Sequence, residues 1–166
     1  MKAAAFLDRD GVLNVEKGYV FKVEDFEWQQ GAIEAVKLLN EKGYYVFVVT
    51  NQSGIARGMY TEDNMKKLHD FMQEQLAAQG AKIDAFYHCP HHPEGKLFKY
   101  ASFCDCRKPK PGMIFQAMDN HEVDTSKSFL IGDKPTDVRA AENAGIKGYL
   151  YSDGDLSELV KSIISC

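Results

Sequence analysis

No apolar run in the 166 residues approaches the length of a bilayer span, and no stretch is repeated or of low complexity. A membrane-embedded chain and a repeat architecture are both excluded. Charge of one sign is not in excess: the formal net charge is -4, with 27% charged residues. That balance gives no global attraction to nucleic acid or to an anionic membrane, so an anionic ligand has to be met by a local basic pocket. After Met1 the sequence reaches Asp8 too early for a secretory leader, which makes the cytoplasm the expected compartment. There are only four cysteines, and they are unevenly placed: Cys89, Cys104 and Cys106 lie near one another, and Cys166 comes last with no role to read from the sequence. In a reducing compartment such clustering points to metal rather than to a disulfide framework. Stability therefore has to come from an apolar core, and a 45% hydrophobic share in a chain of this length is enough for one domain over residues 1–166. Nothing in the chain demands an oligomer, so a monomer is expected.

What is present is organised around Phe6-Leu7-Asp8-Arg9-Asp10-Gly11. The uncharged run from Ala3 to Leu7 suits a buried strand, and two carboxylates follow where that strand gives way to a loop. In an open parallel sheet the carboxyl ends of the strands line the ligand crevice. Residues two apart share a face, so two like charges there need a cation or a shared proton. Mg2+ meets that need, because it takes oxygen ligands from one or two carboxylates together with substrate phosphate.

Strands and helices alternate along the rest of the chain. A helix is expected over Gly31 to Lys42, a strand over Tyr44 to Val49, and a helix from Thr61 to Gln79 with Thr61 as its N-cap. His69 reads as a histidine on the flank of that helix. Further strands are expected at Ile83–Tyr87, Ser128–Ile131 and Lys147–Tyr151, with helices over Met113–His121, from a Thr136 cap through Ala144, and over Leu156–Ile164. The segment from Asn14 to Gln30 carries no assignable element, and its length suggests a small flap pinned to the body by aromatic residues. The pattern is that of an α/β domain with a parallel sheet.

Polar clusters follow three separate strands: Asp8 and Asp10, Thr50-Asn51, and Gly132-Asp133-Lys134. With Arg107 and Lys108 they supply carboxylates for a metal, a hydroxyl, an amide and two cations, the set that phosphoryl transfer needs. A second constellation is Cys-x-His followed by Cys-x-Cys, giving Cys89, His91, Cys104 and Cys106. Three sulfurs and one imidazole fit a closed tetrahedral zinc site, with His88 and His92 as alternative ligands.

Asp8-Arg9-Asp10-Gly11-Val12, Thr50 after Val48-Val49, Lys108 ahead of a helix, and Gly132-Asp133-Lys134 together resemble the four ordered motifs of haloacid-dehalogenase-type phosphatases. The stretch Thr50 to Gly58, Cys89-Pro90-His91-His92-Pro93 and Cys104 to Pro109 narrow the resemblance to the branch acting on a sugar bisphosphate, with histidinol-phosphate phosphatases as its nearest relatives. The resemblance covers about residues 3 to 151. It implies a Rossmann-like three-layer sandwich with a mainly parallel sheet, no separate cap domain, and a zinc-binding loop at 88–107. It also implies that Asp8 is the nucleophile and Asp10 the general acid and base, with Thr50, Asn51 and Lys108 holding the phosphoryl group. Asp8, the backbone carbonyl of Asp10, and Asp133 would bind Mg2+, and His91 is favoured as the imidazole ligand of zinc. Glu16, Lys17, Gly18, Tyr19, Gln52, Ser53, Arg107 and Lys134 are implied as contacts to a small phosphorylated sugar, with Arg107 suited to its second phosphate. Val12 stands where many members carry threonine.

Overall fold

The computed structural model describes residues 1–165; Cys166 lies outside them. Five strands form one sheet: β1 (Ala4–Leu7), β2 (Tyr45–Asn51), β3 (Ala85–Cys89), β4 (Phe129–Gly132) and β5 (Lys147–Leu150). Their order is β3-β2-β1-β4-β5, with every pairing parallel. β1 is therefore central, and the strand order reverses beside it, which is where such sheets open a ligand crevice.

Both faces of the sheet are covered. Alternation along β1 sends Ala5 and Leu7 to one side and Ala4 and Phe6 to the other. The first set packs with Val46, Val48 and Ile131 against α1 (Ala32–Glu41), α2 (Glu62–Ala78) and α5 (Leu156–Ile164). The second packs with Phe47, Val49 and Leu130 against α3 (Gly112–Asn120) and α4 (Pro135–Asn143). Each large side chain buried in these layers contributes about 1.5–3 kcal/mol, so two full layers hold the sheet without disulfides. The result is the expected three-layer α/β sandwich. No separate cap interrupts it: 3-10 turn Val23–Asp25 is the one helical element between β1 and α1, and none lies between β2 and α2.

Several boundaries differ from the expectation. β2 continues through Thr50 and Asn51, which pair with His88 and Cys89 of β3, so these polar residues end a strand instead of opening a loop. β3 begins two residues late: both backbone groups of residue 83 are taken by a side chain, and Asp84 meets Val46 with its own N–H at 2.8 Å as well as with its carboxylate. Gln73 accepts from the Ile83 N–H at 3.0 Å and donates to its carbonyl at 2.7 Å, while the Asp84 carboxylate accepts from the Val46 N–H at 2.8 Å. α4 is capped by Lys134, with Pro135 in the first turn where its missing N–H costs nothing, so Thr136 is not the cap. Thr61 does cap α2, in a reciprocal pair with Asn64. His69 is buried, 5% exposed, and stacks on Phe86 at 4.2 Å. The aromatic residues of the 14–30 segment do pin it: Phe26 meets Trp28 and Phe71 edge-on, and the Trp28 indole donates to Gln75 at 2.6 Å.

Candidate active site

Asp8 stands at the carboxyl end of central β1, its N–H bound to the Ile131 carbonyl of β4 at 3.0 Å. Lys108 reaches it from the β3–α3 loop. Its ammonium, 4% exposed, donates to Asp8 Oδ1 at 3.0 Å and to the Val49 carbonyl at 2.9 Å, and lies 2.6 Å from Asp137 Oδ1. Burial pushes the Asp8 carboxyl well above the usual carboxylate range, more than the Lys108 charge draws it down. Burial alone would lower Lys108, but Asp8 and Asp137 outweigh it and hold the ammonium above its ordinary value. Asp137 was not legible as a site residue. It sits in the first turn of α4 and its Oδ2 accepts from the N–H groups of Asp133 and Lys134, at 3.1 Å each.

Carboxylate oxygens of Asp8, Asp133 and Asp137 all lie within 4.8 Å of one another. Asp133 Oδ1 is buried without a hydrogen-bond partner. Three converging carboxylates, one oxygen orphaned, are the donor set of a hard divalent cation, so these residues fit Mg2+. Two glycines permit the approach. Gly11 has φ +88°, and a Cβ there would lie 2.1 Å from Asp133 Oδ2; one on Gly132 would lie 2.1 Å from Asp137 Cβ.

The carboxylate of Asp10 is surrounded by donors. Oδ1 accepts from Arg9 Nη2 at 2.8 Å, Arg9 Nε at 3.3 Å and Asn14 Nδ2 at 3.0 Å, and Oδ2 accepts from Gln52 Nε2 at 3.1 Å. Arg9, 1% exposed, also donates to the Val20 carbonyl at 2.7 Å and meets His69 Nε2 at 3.3 Å. Burial, then the Arg9 charge, lower the His69 pKa to about 2. The ring is neutral and its Nε2 accepts. Neither Arg9 nor Asn14 carries a signal of its own in the sequence: a charge beside the motif and a lone amide after it say nothing of burial.

A cavity of about 560 Å³ opens beside these groups, lined by Asp10, Glu16, Gly18, Tyr19, Asn51, Gln52, Ser53, Arg107, Lys108 and Lys134. Arg57, Tyr60 and Thr136 complete the wall. The strand ends thus collect most of the expected contact residues, and three of the expected residues have other partners in the protein. Lys17 does not line the cavity; it pairs with Glu27 at 3.2 Å on the outer surface. Asn51 is committed to the loop that carries the lysine: its Oδ1 accepts from the Lys108 N–H at 3.0 Å and its Nδ2 faces the Lys108 carbonyl at 3.4 Å. Gln52 is 2% exposed, and its amide is taken up by Asp10, Thr50 and Tyr60. Within the flap, Glu16 accepts from the Gly18 N–H at 2.7 Å, and Tyr19 takes φ +55°.

Arg57 was also overlooked. The Glu94 N–H donates to His92 Nδ1 at 3.0 Å, so in the neutral ring Nε2 carries the proton and presents a donor, not an acceptor, to Arg57 Nη2 at 3.3 Å. Burial and the nearby guanidiniums of Arg107 and Arg57 lower the His92 pKa, which favours that neutral form. Arg57 Nε and Arg107 Nη1 are both buried without a partner. Two guanidiniums with unmet donors on one cavity call for an anion.

The second constellation also assembles. Ligand atoms of Cys89, His91, Cys104 and Cys106 lie within 4.8 Å of one another. Sγ of Cys104 is 3.4 Å from those of both Cys89 and Cys106, and the cysteines are free. His91 turns Nδ1 toward Cys106 at 3.5 Å and Cys89 at 3.7 Å. The alternatives are occupied elsewhere: His88 bonds Glu62 at 2.7 Å, and His92 bonds Glu94. Donation from Cys89 brings the Cys106 thiol down to about 5 and pushes that of Cys89 up. A Cys3His set with one thiolate already favoured fits Zn2+.

The sheet order and the strand-end carboxylates fit a HAD-like hydrolase, and the similarities that follow make it a phosphoric monoester hydrolase. Residues 105–161 match the HAD-hydrolase-like family model. The chain is 47% identical to the D-glycero-beta-D-manno-heptose-1,7-bisphosphate 7-phosphatase of Rhodopseudomonas palustris, over 98% of this chain and 91% of that one. It is 45% identical to the Escherichia coli K12 enzyme of the same name, over 86% and 75%. The structure of D,D-heptose 1,7-bisphosphate phosphatase from B. bronchiseptica, complexed with magnesium and phosphate, superposes with a TM-score of 0.86 at 29% identity and 99% coverage of both chains. This chain belongs to the heptose-1,7-bisphosphate 7-phosphatase family of HAD-like hydrolases.

Proposed function

We propose that this chain is a Mg2+-dependent phosphatase that removes the C7 phosphate of D-glycero-β-D-manno-heptose 1,7-bisphosphate through an aspartyl-phosphate. The observation that carries the chemistry is the buried Asp8 carboxylate, 3.0 Å from the Lys108 ammonium and grouped with Asp133 and Asp137. The relatives' substrate supports the choice of sugar, and their names support the β anomer.

In this reading Asp8 attacks phosphorus while Asp10 gives a proton to the departing C7 oxygen. Asp10 then takes a proton from the water that cleaves the phosphorylated aspartate, the two steps needing opposite proton movements. Thr50 and Lys108 hold phosphoryl oxygens, and Asn51 fixes the backbone that carries Lys108. Asp8 and Asp133, with the Asp10 carbonyl, would hold Mg2+, which neutralises phosphate charge and so lets an anionic nucleophile approach, while Asp137 beside them holds Lys108 and the Asp133 N–H. Cys89, His91, Cys104 and Cys106 would hold a structural Zn2+ that orders the loop bearing Arg107 and Lys108. Arg107 and Arg57, whose buried donors lack partners, receive the C1 phosphate, with Lys134 at the rim.

The protein would act as a monomer in the cytoplasm, in the synthesis of nucleotide-activated heptose for a surface glycan. No described helix is long and apolar enough to cross a membrane. The test is phosphate release with Mg2+, comparing kcat/KM for both anomers of heptose 1,7-bisphosphate with that for histidinol phosphate. Preference for the β bisphosphate is the expected result. Preference for histidinol phosphate would keep the chemistry and reassign the substrate.

A further inference from the structure

Gln52 is a polar side chain in the cavity wall whose two amide hydrogens and carbonyl oxygen are all engaged within the protein. Tyr60, 6% exposed, bonds its Oε1, and burial drives the phenol pKa up, so Tyr60 stays an O–H donor. A donor at that position fixes which end of the amide faces it. The Nε2 end is thereby turned the other way, and its two hydrogens meet two acceptors, Asp10 Oδ2 at 3.1 Å and Thr50 Oγ1 at 2.8 Å. Because Thr50 Oγ1 accepts here, its own hydroxyl proton is free to point at a phosphoryl oxygen.

Tyr60 is in turn fixed by the flap. Phe21 stacks on it with ring centroids 5.0 Å apart and planes 12° from parallel. Gly54 lies against both Tyr60 and the flap residue Tyr19, so closely that a Cβ there would be 2.3 Å and 2.9 Å from their rings. From the other side Arg9 joins the Val20 carbonyl of the flap to Asp10 Oδ1. The Asp10 carboxylate is thus held at both oxygens, and each hold leads back to residues 19–21.

We infer that Gln52 and Tyr60 are positioning residues that aim the Asp10 carboxylate, and that through Phe21 they tie this aim to the flap. Gln52 does not touch substrate. The inference rests on the acid and base role given to Asp10 above. It assigns the flap a task besides recognition: residues 19–21, seated here by the Phe21–Tyr60 stack and the Arg9–Val20 bond, hold the proton-transfer geometry.

The experiment compares Gln52→Met, Tyr60→Phe and Asp10→Asn with the unaltered protein, in Mg2+, on heptose bisphosphate and on nitrophenyl phosphate. An alkoxide leaving group needs a proton, whereas nitrophenolate departs without one; the water that follows needs a base in both cases. Gln52→Met should lower kcat on the sugar phosphate about 10²-fold, and Tyr60→Phe about 10-fold. On nitrophenyl phosphate both should retain a rapid burst of nitrophenolate within about 3-fold of the unaltered protein, followed by a slowed linear phase. Equal losses in burst and linear phase would mean only a damaged fold, and would overturn the inference. So would turnover equal to that of the unaltered protein in both variants while Asp10→Asn is impaired. Undiminished turnover by Asp10→Asn would instead refute the role of Asp10 itself.

Discussion

Lys108 and Asp137 form an ion pair at 2.6 Å in which both side chains are at most 4% exposed. Asp137 does two jobs at once, since its other oxygen holds the N–H groups of Asp133 and Lys134. Removing one partner of such a pair leaves a buried charge uncompensated, at a cost of about 3–5 kcal/mol. Asp137→Ala should therefore lower unfolding free energy by that amount in urea titrations. Asp137→Asn, which keeps the size and can still accept from both N–H groups, should cost less stability but weaken Mg2+ activation.

Asp8→Asn tests the nucleophile with little change of shape. It should abolish phosphate release to background while the circular dichroism spectrum stays that of the unaltered protein. Full turnover in this variant would mean that water attacks phosphorus directly.

Arg57→Ala and Arg107→Ala should each raise KM for heptose 1,7-bisphosphate about 10-fold, the worth of a charge-assisted hydrogen bond. A heptose carrying phosphate only at C7 should be turned over with unchanged KM. A KM that rose equally for both sugars would place the guanidiniums at the reacting phosphate.

His69 gives the fold an acid-sensitive point. Its pKa falls from 6.5 to about 2 on burial beside Arg9. Between those values the unfolded chain binds a proton that the folded one does not, so stability falls as pH drops below about 6.5. The slope approaches about 1.4 kcal/mol per pH unit for one such group. His69→Gln, which can still accept from Arg9, should lose that component. Urea unfolding at pH 7 and pH 5 would then show a smaller difference for the variant than for the unaltered protein.

Cys106→Ser should release zinc, exposing the segment after β3 to proteolysis, and should raise KM and lower kcat together, since Arg107 and Lys108 follow the last ligand directly. Metal content by mass spectrometry and steady-state kinetics check it. Retained kinetics in a zinc-free variant would separate the metal from the active site.

The layers and the acidic strand end were legible because they rest on short-range rules: β-branched runs, caps, and two carboxylates one residue apart. The cluster of Cys89, His91, Cys104 and Cys106 was legible for the same reason, spacing being a sequence property. The network behind Asp10 was not. Arg9, Asn14, Gln52 and Tyr60 earn their roles from burial and mutual orientation, and no periodicity marks an arginine that is 1% exposed. Asp137 escaped for a related reason: four residues beyond Asp133, it looks like an acidic residue at a helix start, and only the turn of α4 carries it back to Lys108. His69 shows the converse, its helical spacing giving a flank position while Arg9 and Phe86 close over it.

Asp8 and the lysine that neutralises it are separated by 100 residues. As the chain leaves the ribosome, the carboxylate emerges well before its partners on the β3–α3 loop and α4. Until α4 has been made, the carboxylate stands without its full set of charged neighbours. A chain cut short before Lys108 keeps the Asp8 carboxylate without either of the two groups that meet it through that lysine, the ammonium itself and Asp137.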